Sequence, residues 1–155
     1  MAGQTPGEAV RIARRLLKLA ASGTLATLGE GGAPFASLVT VAATPAGEPL
    51  LLLSDLALHT RNLKRDPRVS LLLVAPGGDS GDPLAGARLS LSGTIAPDDD
   101  DGNRRRFLRR HKEAAGYAAF GDFRLYRISM TGGHLVAGFG RIVELGRNAL
   151  ITSAG

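Results

Sequence analysis

The stretch Leu50–Val74, LLLLSDLALHTRNLKRDPRVSLLLV, does most to restrict what this chain can fold into. Leu50–Leu53 and Val69–Val74 are apolar runs of strand length, and the residues between them suffice for a helix. The segment therefore reads strand, helix, strand. The Asp66-Pro67 pair ends the helix, because proline pushes the residue before it out of the helical region. Ser54, His59, Thr60, Arg61, Asn62, Lys64 and Arg65 form its polar set. A helix start with unpaired N–H groups, hydroxyls and nearby positive charge suits an anionic group. The same residues equally suit a helix face turned to water.

Upstream, Thr5-Pro6-Gly7-Glu8 is a capping box with proline at the first helical position, followed by Ala9, Ile12, Leu16 and Leu19 at helical spacing. A helix over residues 6–21 is predicted. Arg11, Arg14, Arg15 and Lys18 break up its apolar residues, which argues against a signal-peptide core or a membrane span and for a cytoplasmic protein with no membrane partner. Thr24–Leu28, Phe35–Ala43 and Leu50–Leu53, separated by short glycine-containing turns, read as an antiparallel meander. Pro76–Ala87 reads as a surface loop and Arg88–Ala96 as a strand with one buried face.

Four aspartates, Asp98–Asp101, precede a predicted helix over Asn103–Ala115, which is acidic at its start and basic at its end, as the helix dipole favours. Phe123–Met130 and His134–Leu145 read as a last strand pair joined by Thr131-Gly132-Gly133, and the tail 146–155 is expected to fray. With no repeat or linker, residues 1–155 form one domain whose barrel spans about 22–145. Short strands with helices at the corners predict a small, mostly antiparallel β-barrel.

Composition removes whole classes of chemistry. The chain has no cysteine, so disulfides, thiolate metal sites and thiol nucleophiles are excluded. The three histidines, His59, His111 and His134, show no metal-ligand spacing, and no nucleophile elbow, P-loop or dinucleotide fingerprint occurs. A net charge of +5 favours anionic partners without choosing among them. The basic run Arg104–Lys112 has only Phe107 and Tyr117 as nearby aromatics and follows the four aspartates, so it reads as a solvated helix face and no nucleic-acid partner is expected.

PFASLV (Pro34–Val39), the Leu50–Leu73 stretch with its HTxNLxxDPRxSL pattern, DPLAGARLSLSG (Asp82–Gly93), FGDFRLYRI (Phe120–Ile128) and HLVAGFGR (His134–Arg141) together resemble the pyridoxamine 5′-phosphate oxidase-like, FMN-binding split-barrel superfamily. Within it the sequence is most similar to the haem-utilisation branch, over Ser22–Glu144 and without the C-terminal extension of that branch's longer members. The resemblance implies a six-stranded antiparallel split β-barrel, mostly β with helices, and a homodimer with FMN at the subunit interface. By matched position, Ser37 stands where the oxidase branch has a phosphate-binding arginine, and Ala57, Leu58 and His59 stand where it has Ser-Arg-Lys.

The FMN-binding set so implied is Ser37, His59, Thr60, Arg61 and Asn62, beside Ser54, with the backbone of Leu38 and Val39 facing the ring. The function expected is a flavin-dependent oxidoreductase of unknown substrate, with no catalytic residue assigned. The alternatives are a haem-binding or haem-degrading protein, with His134 as the iron ligand and Asp122 orienting a histidine, or a non-catalytic dimeric binding module. No other metal is expected.

Overall fold

The computed structural model describes residues 6–75, 81–82, 84–138 and 140–152. Thr5 of the capping box and part of the Pro76–Ala87 loop lie outside them. Helix α1 (Pro6–Leu19) buries Ala9, Ala13, Leu16 and Leu17, a stripe at i, i+4, i+7 and i+8. Its buried face is thus rotated from the expected one, for Leu19 is exposed. The alanines supply the reason: a helix with methyl groups on its inner face lies close against the barrel core. It stops short of residue 21 because β1 (Ser22–Leu28) begins there.

β1 is followed by β2 (Pro34–Thr40), β3 (Ala42–Ala43), β4 (Pro49–Ser54), α2 (Leu58–Arg65), β5 (Arg68–Val74) and β6 (Arg88–Pro97). Then come α3 (Asp101–Arg110), α4 (Ala115–Ala118), β7 (Phe123–Val136), β8 (Ile142–Gly146) and α5 (Arg147–Leu150). The strands form one antiparallel sheet in the order β2-β1-β5-β6-β7-β4-β3, with β8 on β7. It curls into the split barrel. Among the described residues the count is eight strands where six were expected, because one run breaks at Val41 and β8 adds a short ribbon.

That break closes the curl. Residues before Val41 pair with β1 and those after it pair with β4. Val41 itself spends its N–H on the Ala21 carbonyl at 2.9 Å, and its carbonyl accepts from Nε2–H of the buried His111 at 2.7 Å. His111 caps α3 and lies against Phe107, so this otherwise unremarked histidine pins α3 over the break. The expected helix over 103–115 accordingly ends at Arg110 and resumes as short turns.

Every leucine of β4 is buried because the strand is sandwiched. Leu51 and Leu53 face the main core inside the barrel, while Leu50 and Leu52 face a second cluster with Phe107, Ala114, Ala118 and Leu125. A strand covered on both faces loses polar alternation and becomes a continuous apolar run.

The last hairpin is displaced from its expected place. Thr131-Gly132-Gly133 lies inside β7, and the chain reverses instead after Val136, where Gly138 and Gly140 take φ of 113° and 75°. Thr131 is the extra residue of a β-bulge opposite Ser92/Gly93, and its hydroxyl donates to the Ser92 carbonyl at 3.1 Å. The tail also departs from expectation: α5 forms a helical turn whose Leu150 is fully buried in the main core.

Candidate functional site

Helix α2 packs on β1 and β2, and its N-cap, Ala57, offers no side-chain cap. The amides of its first turn are therefore free of capping side chains. Beside them, Ser37 Oγ and His59 Nδ1 lie 3.0 Å apart, so the structure joins two residues 22 positions apart in sequence. His59 Nε2 and Thr60 Oγ1 are buried and have no hydrogen-bond partner. Burial lowers the His59 pKa from the ordinary 6.5, which holds the ring neutral. If Ser37 donates to Nδ1, Nε2 carries the proton and becomes a donor in search of an acceptor.

The remaining members of the expected FMN set lie on β2, on α2 or at the end of β4 before it. Asn62 Nδ2 donates to Thr27 Oγ1 at 3.1 Å and is buried, tying α2 to β1. Ser54 Oγ donates to Asp122 at 2.8 Å and accepts from the Leu56 N–H, which stabilises the turn into α2. Asp122 thus holds a serine from the turn that precedes β7. The Arg61 side chain is exposed, the Val39 side chain lies in the core, and Leu38 is 78% exposed on the outer face.

The neutral state of His59 has a measurable consequence. As pH falls through the ordinary histidine range, the unfolded chain binds a proton that the folded chain resists, so stability falls on acidification. The loss ends once the folded ring itself titrates. Urea midpoints measured from about pH 7 to about pH 5 should therefore drop more steeply for the natural chain than for His59→Gln. Equal slopes would show that the ring is not held neutral.

On the outer face, register aligns a second set of residues across six strands. Leu38 faces Thr24, Thr24 faces Leu72, Leu72 faces Ser90, Ser90 faces His134, and His134 faces Glu144. The adjacent row contains only small residues: Ala36, Ala26, Ser70, Ser92, Gly132 and Gly146. This gives a low floor with taller residues along one side. A groove of about 520 Å³ runs along it between Pro34 and Thr131, and shares Ser92 and Thr131 with one of about 230 Å³ that reaches His134 and Glu144.

His134 is half exposed, and its Nδ1 contacts Glu144 Oε1. With Nδ1–H donating to the carboxylate, Nε2 is left with its lone pair, the tautomer that a metal-ligating imidazole requires. Arg68, in the larger groove, is already engaged by Asp66, whose carboxyl it holds down to about 2. Leu38 and His134 are four strand steps apart, on the order of 19 Å along the sheet, so within one chain they are not in contact. Periodicity could not reveal the row, since it depends on strand order.

Among the described residues, no three His, Asp or Glu side chains gather around a common metal position, and no helix is long and apolar enough to cross a membrane.

A family profile described as "CREG, beta-barrel" matches residues 4–148. The chain is 32% identical over 120 residues to the chloroplastic "Non-canonical heme oxygenase HOZ" of Arabidopsis thaliana, a match covering 74% of this chain but 36% of that one. It thus spans about a third of that curated relative's length. A solved heme binding protein from Mycobacterium smegmatis is 34% identical with a TM-score of 0.84, covering 97% of this chain and 61% of that one. A protein from Clostridium acetobutylicum described as of the pyridoxinephosphate oxidase family, 14% identical with a TM-score of 0.69 over 92% of this chain and 97% of that one, shares the fold.

Proposed function

Because the chain belongs to the CREG β-barrel family, we propose that it is a haem-binding protein whose iron ligand is His134. The observation that carries this reading is the His134–Glu144 pair at one end of a grooved face of the sheet, floored by small residues. A carboxylate that accepts from one ring nitrogen fixes the tautomer, raises the basicity of the other nitrogen and orients the ring. The row of alanine, serine and glycine suits a planar ligand, because nothing on it stands far above the backbone. When bound, haem supplies a redox-active iron; the chain supplies the ligand, its orientation and the floor. The haem-related descriptions of the Arabidopsis and Mycobacterium relatives support the same class of ligand.

The fit of FMN to the α2 start is poorer. A phosphate dianion is best held by charge-assisted, bidentate donors, and the group nearest Ser37 is a neutral imidazole. Thr60 Oγ1 is sealed from solvent, and Asn62 is committed to Thr27. The homodimer remains part of the proposal: Leu38 and Leu72 are exposed on the same outer face, where a second copy would cover both them and the grooves.

Parallel absorbance titrations of the purified protein test the reading. Haemin is expected to produce a saturable Soret band with one haem per chain, while FMN leaves its own spectrum and fluorescence nearly unchanged. A flavin that binds tightly while haemin gives only the free-haem spectrum would overturn the haem assignment.

A further inference from the structure

A basic pocket that shares no lining residue with either candidate site lies between the end of α1 and the last turns of α3. It has a volume of about 310 Å³ and is lined by Lys18, Arg106, Arg109 and Arg110, with Ala42 and Ala43 of β3 adding no long side chain. No carboxylate lines it. Among the described residues, the ion pairs that form engage Lys64, Arg68, Arg124, Arg127, Arg147 and two histidines, and none engages a cation of this pocket. The three aspartates that precede α3, Asp98–Asp100, are engaged elsewhere. Asp98 serves Arg127 and Asn103, Asp99 approaches Arg124, and Asp100 caps the helix.

Two details separate this pocket from an ordinary solvated face. Arg106 Nε is buried yet has no hydrogen-bond partner, an arrangement that leaves a charged donor unsatisfied. Arg110 Nη2 donates to the Leu19 carbonyl at 2.9 Å, which fixes one guanidinium against the end of α1. The His111–Val41 bond and the burial of Phe107 fix the helix that carries the arginines. The cations are thus gathered by packed elements while their charges remain uncompensated.

We propose that this pocket binds the phosphate or pyrophosphate group of a small soluble molecule. Guanidinium forks match phosphate oxygens two at a time, and an anion there would relieve the repulsion among the cations. The volume lies at the lower end of small-molecule sites, roughly 300–1,000 Å³. That size admits a phosphate-bearing end of a molecule better than an extended polymer.

Calorimetric titration with inorganic pyrophosphate, at constant ionic strength, tests the proposal on the full chain. Saturable binding of one pyrophosphate per chain is expected, weakened about tenfold or more in Arg109→Gln and in Arg106→Gln. Arg109 is exposed, so its variant keeps the test valid if Arg106→Gln folds poorly. His134→Ala should bind pyrophosphate like the natural chain, which separates this result from the fate of the haem reading. Absence of saturable heat up to roughly 10 mM, a range that covers weak sites, or binding by both arginine variants as tight as that of the natural chain, would overturn it. So would an oligonucleotide or an anionic vesicle that binds through Arg106 and Arg109 when pyrophosphate does not.

Discussion

Gly93→Ala is expected to cost at least about 3 kcal/mol of folding stability, beyond the usual range for overpacking because the obstructing atoms are backbone. A Cβ at this position would lie 2.2 Å from the Ser129 carbonyl oxygen and 3.0 Å from its carbon, with Ile128 Cγ2 at 3.1 Å. The two Ser129 atoms are backbone and cannot swing aside as the end of a flexible side chain would. The two strands would have to part at the bulge, in the middle of a β6–β7 pairing that runs from Arg88 to Pro97. Gly121→Ala is the control, since a Cβ there meets nothing within 4 Å. Thermal melting should separate the two variants by roughly 10 °C, taking about 2–4 °C per kcal/mol for a chain of this size. Equal melting temperatures would mean that the bulge is far softer than its packing implies.

The bulge that Gly93 permits also explains where sequence reading succeeds and fails. Apolar runs identify β4 and β5, and the proline after Asp66 ends α2, because these signals act within a few residues. Glycine is ambiguous in a way that leucine is not. It marks a turn when φ is positive, as at Gly138 and Gly140, but it also marks close packing inside a strand. Gly133 is of the second kind, for a Cβ there would lie 2.9 Å from Leu89 Cδ1. Taking Thr131-Gly132-Gly133 for a turn puts His134 at the start of a strand, whereas it lies within β7 between two pairing partners.

Side-chain partners are less legible still, because they depend on strand order and curl. Ser37 and His59 could be named from resemblance, yet neither the contact between them nor the loss of Asn62 to Thr27 follows from their spacing. Arg104–Lys112 is evident as a charge run. What the sequence hides is that Lys18 joins Arg106, Arg109 and Arg110 while the neighbouring aspartates turn to other partners. Continuity of charge in sequence and compensation of charge in space are separate properties.

His134→Ala is expected to weaken haem binding by at least about 100-fold, the upper end of what removing a ligand's supporting partner alone can cost. The variant should fold normally, since the side chain is 47% exposed and contributes nothing to the core. Glu144→Gln separates the ligand from its support. The amide can still accept a hydrogen bond but carries no charge, so haem should bind about tenfold or more weakly, with a shifted Soret maximum. Added imidazole should shift the His134→Ala spectrum back toward that of the natural chain and leave Glu144→Gln little changed, because only the first variant lacks a nitrogen ligand. His59→Ala should bind haem like the natural chain, given the roughly 19 Å of sheet between β2, where its partner Ser37 lies, and β7, which carries His134. If His134→Ala retained the natural affinity and spectrum while His59→Ala lost both, the iron ligand would belong to the α2 start, and the His134–Glu144 pair would be no more than a cross-strand contact on β7 and β8.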